Sequence, residues 1–284
     1  EVKPNPVALF SSDSVCLNNT STLLDLSTVE FGQVVSWEWQ LGNGEIDSIQ
    51  NTDFIFSSEG QQPVTLIVTS SDGCSDTTTQ NVIIHPLPNA LFSYEGFCEE
   101  DDVLFTDEST ISSGQITAWL WGFNSDSSNI QFPSYGFGTQ GIYNVELSVF
   151  SEFGCIDTIS QNIIINPNPT ADFSMSNQFT QVLDPVFFTD QSIDASVWYW
   201  DFGDGIGFST DQSPNYAYGN FGQYSIELII ENQFGCTDTA IQTITVKQPP
   251  LLPLAFSPNN DGLNDYFNVL GGYFIEFQFI IYNN

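Results

Sequence analysis

A repeat of 81 residues is the feature that most constrains how this 284-residue chain can fold. A Gly-Cys pair recurs at that interval, as Gly73-Cys74, Gly154-Cys155 and Gly235-Cys236. Each repeat opens on a Pro-x-Pro-x-Ala-x-Phe pattern that begins at Pro4, Pro86 or Pro167. Paired prolines favour extended connectors and are excluded from central strands. The sequence therefore predicts domains at 1–85, 86–166 and 167–247, followed by a segment, 248–284, that breaks the repeat.

Within each repeat, apolar residues alternate with a period of two, which is typical of β-strands. The alternation is clearest around six tryptophans, two in each repeat: Trp37, Trp39, Trp119, Trp121, Trp198 and Trp200. A paired element of this kind indicates a core-facing central strand, so all six rings are predicted to lie in the core. Rings that face solvent and stack on carbohydrate are the alternative. Short strands with frequent turns, in units of about 80 residues, predict immunoglobulin-like β-sandwiches.

The charge argues against nucleic acid and anionic membrane surfaces as partners. The chain carries 35 acidic residues against two lysines, Lys3 and Lys247, and no arginine, which gives a net charge of −33. Phosphate-backbone binding depends on Lys and Arg, so no nucleic acid is expected as a partner. Direct membrane insertion is not expected either, because no apolar run reaches the roughly 18 residues that span a bilayer. Both lysines are predicted to lie in connectors, which leaves each domain with an acidic, self-repelling surface.

The third repeat resembles a known family. Its segment Trp198-Tyr199-Trp200-Asp201-Phe202-Gly203-Asp204-Gly205, with Tyr216 and Tyr218 downstream, is similar to the signature of polycystic-kidney-disease (PKD) domains. Repeats one and two depart from this signature at 40–44 and 122–126, and they are assigned through the 81-residue interval. The resemblance covers about residues 1–247 and implies three tandem PKD-type β-sandwiches.

The segment after the repeats resembles a different family, the gliding-motility-associated C-terminal domain, a type B sorting domain of type IX secretion substrates. The resemblance rests on Phe256, Ser257, Pro258, Asn259, Asp261, Gly262, Asn264 and Asp265. The family continues beyond the strand that residues 279–283 resemble. The predicted fold class is therefore all-β, with three tandem immunoglobulin-like (PKD-type) sandwiches and an incomplete C-terminal β domain.

This second resemblance implies a route and a location. Proteins with such a domain are exported across the outer membrane by the type IX translocon and are retained at the bacterial cell surface by outer-membrane attachment proteins. The resemblance thus implies a secreted, surface-attached protein whose partners act through the C-terminal segment.

Five cysteines remain to be placed. Cys16 and Cys98 each lie six residues after the repeat phenylalanine, and Phe179 takes the corresponding position in repeat three. We predict disulfides Cys16–Cys74 and Cys98–Cys155, with Cys236 left as a free thiol. Buried free thiols throughout are the alternative, and the implied export route favours disulfides because it is oxidising.

Two turns are candidates for binding calcium, an ion that prefers carboxylate and amide oxygens. One turn contains Asp201 and Asp204, and the other, around Gly262, contains Asn259, Asp261 and Asp265. Hydrogen bonding of these side chains within their own turns is the alternative at both places. No cofactor is expected to be required, and calcium is the optional ion.

The sequence does not predict an enzyme. The single histidine, His85, precedes Pro86 in a predicted connector, so no Ser-His or Cys-His pair can be assigned. The predicted function is a non-enzymatic, rod-like C-terminal stalk and secretion signal of a large surface adhesin, linked to gliding motility. The alternative is a set of accessory PKD modules in an exported hydrolase or carbohydrate-binding protein.

Overall fold

The computed structural model describes residues 3–42 and 44–248, and this part of the chain consists of strands, turns and loops without a helix. No helix among the described residues is long and apolar enough to cross a membrane. Contacts divide the described residues into two compact units, one within Glu1–Gly96 and Glu100–Ile164 and the other within Phe97–Glu99 and Ile165–Asn284. The predicted all-β class, with tandem immunoglobulin-like sandwiches, is confirmed.

Repeat one forms two sheets from eight strands. These are β1 (Phe10–Ser12), β2 (Val15–Cys16), β3 (Thr20–Asp25), β4 (Val34–Gln40), β5 (Ile46–Asp47), β6 (Thr52–Ile55), β7 (Gly60–Ser70) and β8 (Ser75–His85). One sheet has the order β1-β3-β6 and the other the order β2-β8-β7-β4-β5. Strand β2 runs parallel to β8, whereas the other neighbours are antiparallel.

Repeat two has the same plan with a shorter second sheet. Its strands are β9 (Phe92–Glu95), β10 (Asp102–Asp107), β11 (Ile116–Phe123), β12 (Asp126–Ser128), β13 (Ser134–Gly136), β14 (Gly141–Ser151) and β15 (Ile156–Ile165). The sheets have the orders β13-β10-β9 and β12-β11-β14-β15. Where repeat one has β2, repeat two has a single parallel bridge between Cys98 and Asn166.

Repeat three again forms sheets of three and five strands. Its strands are β16 (Phe173–Met175), β17 (Phe179–Gln181), β18 (Val186–Asp190), β19 (Val197–Asp201), β20 (Phe208–Ser209), β21 (Asn215–Tyr216), β22 (Gly222–Glu231) and β23 (Thr237–Lys247). The orders are β16-β18-β21 and β17-β23-β22-β19-β20, with β17 parallel to β23.

The second tryptophan of each pair lies at the centre of its sandwich. Trp39, Trp121 and Trp200 are fully buried, so these rings offer no face to a sugar. Each packs edge-on against the phenylalanine of the opening pattern in the other sheet, with centroid distances of 5.2 Å for Trp39–Phe10, 5.1 Å for Trp121–Phe92 and 5.0 Å for Trp200–Phe173. Such pairs contribute about 0.5–1.5 kcal/mol beyond the area they bury. The same aromatic contact therefore holds the two sheets together in all three repeats.

The first tryptophan of each pair lies at the margin of the core and is only partly buried. Its indole N–H donates to an aspartate: Trp37 to Asp25 (2.7 Å), Trp119 to Asp107 (2.6 Å) and Trp198 to Asp190 (2.9 Å). A partly buried indole needs such a partner for its N–H. The prediction that all six rings lie in the core thus overstates the burial of Trp37, Trp119 and Trp198.

Two residues that were predicted to lie in connectors are strand residues. His85 ends β8 and Lys247 ends β23, because a parallel neighbour extends the pairing to the residue just ahead of the connector. The Lys247 ammonium lies 4.8 Å from the centroid of the Phe179 ring. The prediction that both lysines lie in connectors is therefore wrong for Lys247, and repeat three carries a cation.

Candidate functional site at the Gly-Cys turns

The last two strands of each repeat are joined by a turn that we call the Gly-Cys turn. It comprises Ser70–Cys74 in repeat one, Ser151–Cys155 in repeat two and Asn232–Cys236 in repeat three. Its glycine has φ of +83°, +78° and +84° in the three repeats, a region that favours glycine. The N–H of the first turn residue donates to the cysteine carbonyl at 2.8, 2.9 and 2.9 Å. All three turns thus present their cysteine on the same backbone.

Each Gly-Cys turn lies at the end of the sandwich where its repeat begins. An aspartate two residues after the cysteine accepts a hydrogen bond from the backbone N–H of the opening alanine: Ala8 to Asp76 (2.8 Å), Ala90 to Asp157 (2.8 Å) and Ala171 to Asp238 (2.7 Å). The strand that follows the turn then runs along the sheet to the start of the next connector. A whole strand therefore separates the turn from the far end of its own repeat.

A second segment, which we call the parallel segment, lies at that far end. It comprises Val15–Leu17 in repeat one, Phe97–Glu99 in repeat two and Thr180–Val182 in repeat three. Its middle residue lies opposite the end of the last strand, in the pairs Cys16–His85, Cys98–Asn166 and Gln181–Lys247. Two positions later the backbone has positive φ in every repeat, +66° at Asn18, +67° at Glu100 and +70° at Leu183. Cys16, Cys98 and Gln181 are therefore structurally equivalent.

Two disulfides join the parallel segment of one repeat to the Gly-Cys turn of the next. They are Cys16–Cys155 and Cys98–Cys236, each with a Cα–Cα distance of 5.6 Å and each inside one compact unit. Cys74 is the free cysteine of the described residues. The predicted pairs Cys16–Cys74 and Cys98–Cys155 are wrong, and Cys236, which was predicted to be a free thiol, is bonded.

Strand length explains why pairing within a repeat fails. Cys74 lies just before β8, and Cys16 pairs with the last residue of that strand, His85. Eleven residues at about 3.3 Å each place the two cysteines roughly 36 Å apart. A disulfide needs Cα atoms within about 7 Å of one another.

The correspondence of Phe179 with Cys16 and Cys98 is also wrong. Counting from the repeat phenylalanine gives Phe179, but the stretch that follows Phe173 is two residues longer in repeat three, so Gln181 takes the position. A hydrogen bond confirms the alignment, since Asp184 N–H donates to the Gln181 carbonyl as Asn19 N–H does to Cys16. Repeat three therefore has glutamine where the other repeats have a bonded cysteine.

Noncovalent contacts accompany the disulfide in the first unit. The imidazole of His85 stacks on the ring of Phe153, in the Gly-Cys turn of repeat two, with centroids 3.9 Å apart and planes 14° apart. The Ser112 hydroxyl donates to the Glu59 carboxylate at 2.8 Å. Repeats one and two therefore meet through a stacked ring pair and a charged hydrogen bond as well as the Cys16–Cys155 bond.

Hydrogen bonds to backbone carbonyls make the equivalent contacts in the second unit. The Glu99 N–H donates to the Asn166 carbonyl (2.8 Å), and the side-chain amide of Asn168 donates to the Glu99 carbonyl (2.7 Å). In the Gly-Cys turn of repeat three, the Asn232 amide donates to the Pro167 carbonyl at 2.8 Å. The connector, the parallel segment and the turn are thus hydrogen-bonded around Cys98–Cys236.

The calcium candidates Asp201 and Asp204 hydrogen-bond within their own turn. Asp201 accepts from Gly203 N–H at 2.8 Å, and one oxygen of Asp204 accepts from Ile206 (3.1 Å) and Gly207 (2.9 Å). The other Asp204 oxygen accepts from the Tyr216 hydroxyl at 2.6 Å. The alternative of turn hydrogen bonding therefore describes these oxygens, and calcium at this turn stays a prediction.

The pKa values of Asp204 and Tyr216 are shifted in opposite directions. Burial opposes ionisation of Asp204, but hydrogen bonds from Tyr216, Gly207 and Ile206 outweigh it and lower the pKa of the carboxyl. Burial and the hydrogen bond to Asp204 raise the pKa of Tyr216 to about 12. Both shifts favour a charged acceptor and a neutral donor at neutral pH.

Repeat two keeps this contact with different residues. The Tyr135 hydroxyl donates to Asp126 at 2.6 Å, and its ring stacks on Phe123 at 4.6 Å, as Tyr216 stacks on Phe202 at 4.3 Å. The hydrogen bond and burial raise the pKa of Tyr135. When the tryptophan pairs of repeats two and three are aligned, Ser125 lies opposite Asp204, and Asp126 follows one position later. Asp126 was therefore not among the candidates that the sequence indicated.

The remaining candidates fall outside the described residues. They are the calcium candidates Asn259, Asp261 and Asp265 and the rest of the sorting motif, Phe256, Ser257, Pro258, Gly262 and Asn264. Within residues 3–42 and 44–248, no group of three or more His, Cys, Asp or Glu side chains is placed to hold a metal ion. The second calcium site stays a prediction.

A comparison with protein families identifies the repeats. The PKD domain model matches residues 3–84 and 166–246, which are most of repeats one and three. The chain belongs to the PKD family. PKD domains are non-catalytic modules with an immunoglobulin-like fold.

Individual PKD-containing proteins resemble this chain over shorter stretches. The pre-pro-metalloprotease PrtV of Vibrio cholerae serotype O1 is 30% identical over 155 residues, 52% of this chain and 17% of PrtV. The microbial collagenase of Vibrio alginolyticus is 32% identical over 90 residues, 31% of this chain and 11% of the collagenase. The crystal structure of the PKD1 domain of Vibrio anguillarum Epp is 30% identical and covers 29% of this chain and 96% of that domain, with a TM-score of 0.28. The chain thus spans less than a fifth of the length of PrtV and of the collagenase.

Proposed function

We propose that this chain is a non-catalytic spacer of an exported protein, in which disulfides connect successive PKD repeats. The observation that carries the proposal is the pair of bonds Cys16–Cys155 and Cys98–Cys236, each of which leaves one repeat and enters the next. Disulfides of this kind persist in oxidising compartments outside the cytosol. The similarity to PKD modules of PrtV and of a collagenase supports an exported parent protein.

The disulfide adds a second covalent connection beside the peptide connector. Between repeats one and two, the backbone connection runs through Pro86 and Pro88, and Cys16–Cys155 bypasses it. A load along the chain is therefore shared between two covalent paths at this junction. The net charge of −33 also makes copies of the protein repel one another, which disfavours their aggregation.

A cleavable connector tests the spacer proposal. A protease recognition sequence is inserted between Pro86 and Pro88, and the cleaved protein is run on a gel with and without reductant. We expect one band without reductant and two fragments with it. The same insertion in Cys16→Ser is the control, and it should give two fragments in both lanes. Two fragments without reductant in the protein that keeps Cys16 would refute a second covalent connection.

We propose further that the parent protein is a surface adhesin exported by the type IX system and linked to gliding motility. Support comes from the resemblance of Phe256–Asp265 to a type B sorting domain. The translocon and outer-membrane attachment proteins are then the partners of residues 248–284, and the PKD repeats space the adhesive part from the cell.

A reporter fusion tests the sorting proposal separately from the spacer proposal. Residues 248–284 are fused to a periplasmic reporter in a host with a type IX system, and residues 167–247 are fused to the same reporter as a control. We expect only the first fusion to reach the cell surface. Retention of both in the periplasm would refute sorting by this segment and would leave the spacer proposal intact.

An accessory role in an exported hydrolase is the second candidate. It is favoured by the names of the relatives, a metalloprotease and a collagenase, in which PKD repeats occupy a small part of a long chain. Zymography of the parent protein in its natural host distinguishes the two candidates. Loss of a proteolytic band when the gene is deleted would support the hydrolase, and loss of adhesion with unchanged zymograms would support the adhesin.

A further inference from the structure

We propose that Cys74 forms a third disulfide of the same kind, with a cysteine in the parallel segment of a PKD repeat that precedes it in the natural protein. In this proposal Cys74 is a modification site with a defined partner. The inference is independent of the adhesin and hydrolase proposals, because it rests on the equivalence of the three Gly-Cys turns.

The first support is the conformation of the turn. Gly73 N–H donates to the Ser70 carbonyl at 2.8 Å, and the bonded turns have the same contact at 2.9 and 3.1 Å. Cys74 N–H also donates to the Ser70 side chain at 3.3 Å, as Cys155 N–H does to Ser151 and Cys236 N–H to Asn232, both at 3.1 Å. Cys74 is thus held by the backbone in the way that both bonded cysteines are.

The second support is what covers the cysteine. Cys155 and Cys236 are each 1% exposed, and each is bonded to a parallel segment from the repeat before it. Cys74 is partly exposed in the same turn. The side of the turn that a parallel segment covers in repeats two and three is therefore open in repeat one.

The third support is a contact next to the turn. The residue before the opening proline of repeat two, His85, stacks on Phe153, two positions before the bonded Cys155. The residue before the opening proline of repeat one, Lys3, forms an ion pair of 3.4 Å with Asp72, two positions before Cys74. The contact that accompanies the disulfide at Cys155 therefore has an equivalent next to Cys74, with an ion pair in place of stacked rings.

The sequence ahead of Pro4 fits a preceding repeat. Val2-Lys3-Pro4 matches Ile84-His85-Pro86 and Ile165-Asn166-Pro167, the residues that end a last strand and begin a connector. In repeats one and two, the end of that strand pairs with the parallel segment that carries the bonded cysteine. A repeat that ends on Val2-Lys3 would place its parallel segment next to the Gly-Cys turn of repeat one.

A second copy of this chain fits less well. Both observed disulfides join a parallel segment to a turn, whereas a Cys74–Cys74 dimer would join two turns. Two chains of charge −33 also repel one another. The partner of Cys74 is therefore a preceding repeat rather than a symmetry-related copy.

The chemistry is oxidation of two thiols by a disulfide-containing oxidant, such as an oxidised thiol–disulfide oxidoreductase. The Cys74 thiolate attacks a mixed disulfide between the oxidant and the partner cysteine, and the oxidant sulfur leaves as a thiolate. Overall the two cysteines lose two protons and two electrons, and the oxidant becomes a dithiol.

A tandem fusion tests the proposal. A copy of residues 4–83 that carries Cys74→Ser is joined directly to Val2 of the full chain, so that a repeat with its own Cys16 precedes Cys74. The protein is oxidised with glutathione and mapped by peptide mass spectrometry without reduction. We expect a peptide that links Cys16 of the added copy to Cys74. The full chain should keep its own bonds, Cys16–Cys155 and Cys98–Cys236. The last two bonds report that the repeats have folded.

The matched control carries Cys16→Ser in the added copy, and the Cys16–Cys74 peptide should disappear. A free Cys74 in the folded fusion, or a Cys74–Cys74 dimer, would overturn the proposal. If the fusion fails to form the two native bonds, maleimide labelling of the unfused chain decides instead. Labelling of Cys74 within minutes under native conditions is expected, and a thiol that resists labelling until the chain unfolds would refute an open junction.

Discussion

The Tyr216 hydroxyl donates a hydrogen bond of 2.6 Å to Oδ2 of Asp204, and this contact favours an ionised aspartate and a neutral tyrosine. The pKa of the tyrosine is raised to about 12 by burial and by the carboxylate, and the pKa of the aspartate is lowered. Asp204 in turn receives the N–H groups of Ile206 and Gly207. The turn that carries the PKD signature is therefore closed by one carboxylate with three donors.

The first prediction concerns pH. A lowered carboxyl pKa contributes stability above its ordinary value of 3.8, and that contribution is lost as the pH falls through the lower folded value. A raised tyrosine pKa contributes stability below pH 10, and that contribution is lost as the pH rises from 10 towards 12. We expect Tyr216→Phe to cost about 1 kcal/mol at pH 7 and to reduce the loss above pH 10, to which Tyr135 and Tyr218 also contribute because their pKa values are raised as well.

Thermal unfolding at pH 7, 9 and 11 measures this effect, with Tyr199→Phe, at an exposed tyrosine, as the control. The control should keep the alkaline loss of the parent. An unchanged alkaline slope in Tyr216→Phe would show that this tyrosine does not couple to folding.

The second prediction compares two glycines of the same turn. Gly203 and Gly205 have φ of +80° and +79°, so alanine is strained by about 1–2 kcal/mol at either position. A Cβ on Gly203 would also overlap the Ser225 carbonyl oxygen, whereas a Cβ on Gly205 meets no atom within 4 Å. We expect Gly203→Ala to lose about 1–3 kcal/mol more than Gly205→Ala in urea unfolding, because backbone must move to make room. Equal losses would contradict the close approach of Gly203 to β22.

The third prediction compares the bonded Cys16 with the free Cys74. Cys16→Ser breaks the Cys16–Cys155 bond, which closes a sequence separation of 139 residues, and should cost about 2–5 kcal/mol. Cys74→Ser alters a partly exposed free thiol and should cost no more than about 0.5 kcal/mol. Differential scanning calorimetry without reductant measures both. A larger loss in Cys74→Ser than in Cys16→Ser would contradict the pairing.

The fourth prediction concerns cations. The oxygens of Asp201 and Asp204 already accept hydrogen bonds within their turn, so we expect calcium to act on this part of the chain by screening repulsion. For a chain that ends at Gln248, we expect NaCl and CaCl2 at equal ionic strength to raise the unfolding temperature equally. A larger rise with calcium that Asp204→Asn abolishes would instead support a site at this turn.

The sequence was sufficient to predict the β-sandwiches and the tryptophans at their centres. Alternation with a period of two, one tryptophan pair per repeat and a constant interval predict three copies of one β architecture, and Trp39, Trp121 and Trp200 are buried at equivalent positions. Local patterning determines these features, because each depends on residues within one strand or on the spacing of strands.

The junctions depend on information that the interval does not contain. An 81-residue period shows that Cys74, Cys155 and Cys236 are equivalent, but it does not show at which end of a sandwich they lie. That depends on the parallel pairing of Cys16 with His85, a long-range contact formed by a two-residue strand. The aspartates Asp76, Asp157 and Asp238, which recur two positions after each cysteine and bind the opening alanine, are the sequence signal that was available.

Small changes in length caused the other errors. Two extra residues before Gln181 shift the equivalent of Cys16 away from Phe179, and one residue separates Asp126 from the position compared with Asp204. In both cases a loop accommodates the change in length, so that the parallel pairing of Gln181 and the Tyr135–Asp126 hydrogen bond still form. A fixed interval between repeats does not reveal such a change.

The direction of the two disulfides also sets an order of maturation. Cys16 is made early in its repeat, but its partner Cys155 belongs to the last hairpin of the following repeat, and the same holds for Cys98 and Cys236. A chain that emerges from its N-terminus must therefore hold each early thiol reduced until the next repeat has formed its final two strands. Oxidation of one junction thus reports that the following repeat is complete, and a repeat that fails to fold leaves an unpaired thiol in the repeat before it.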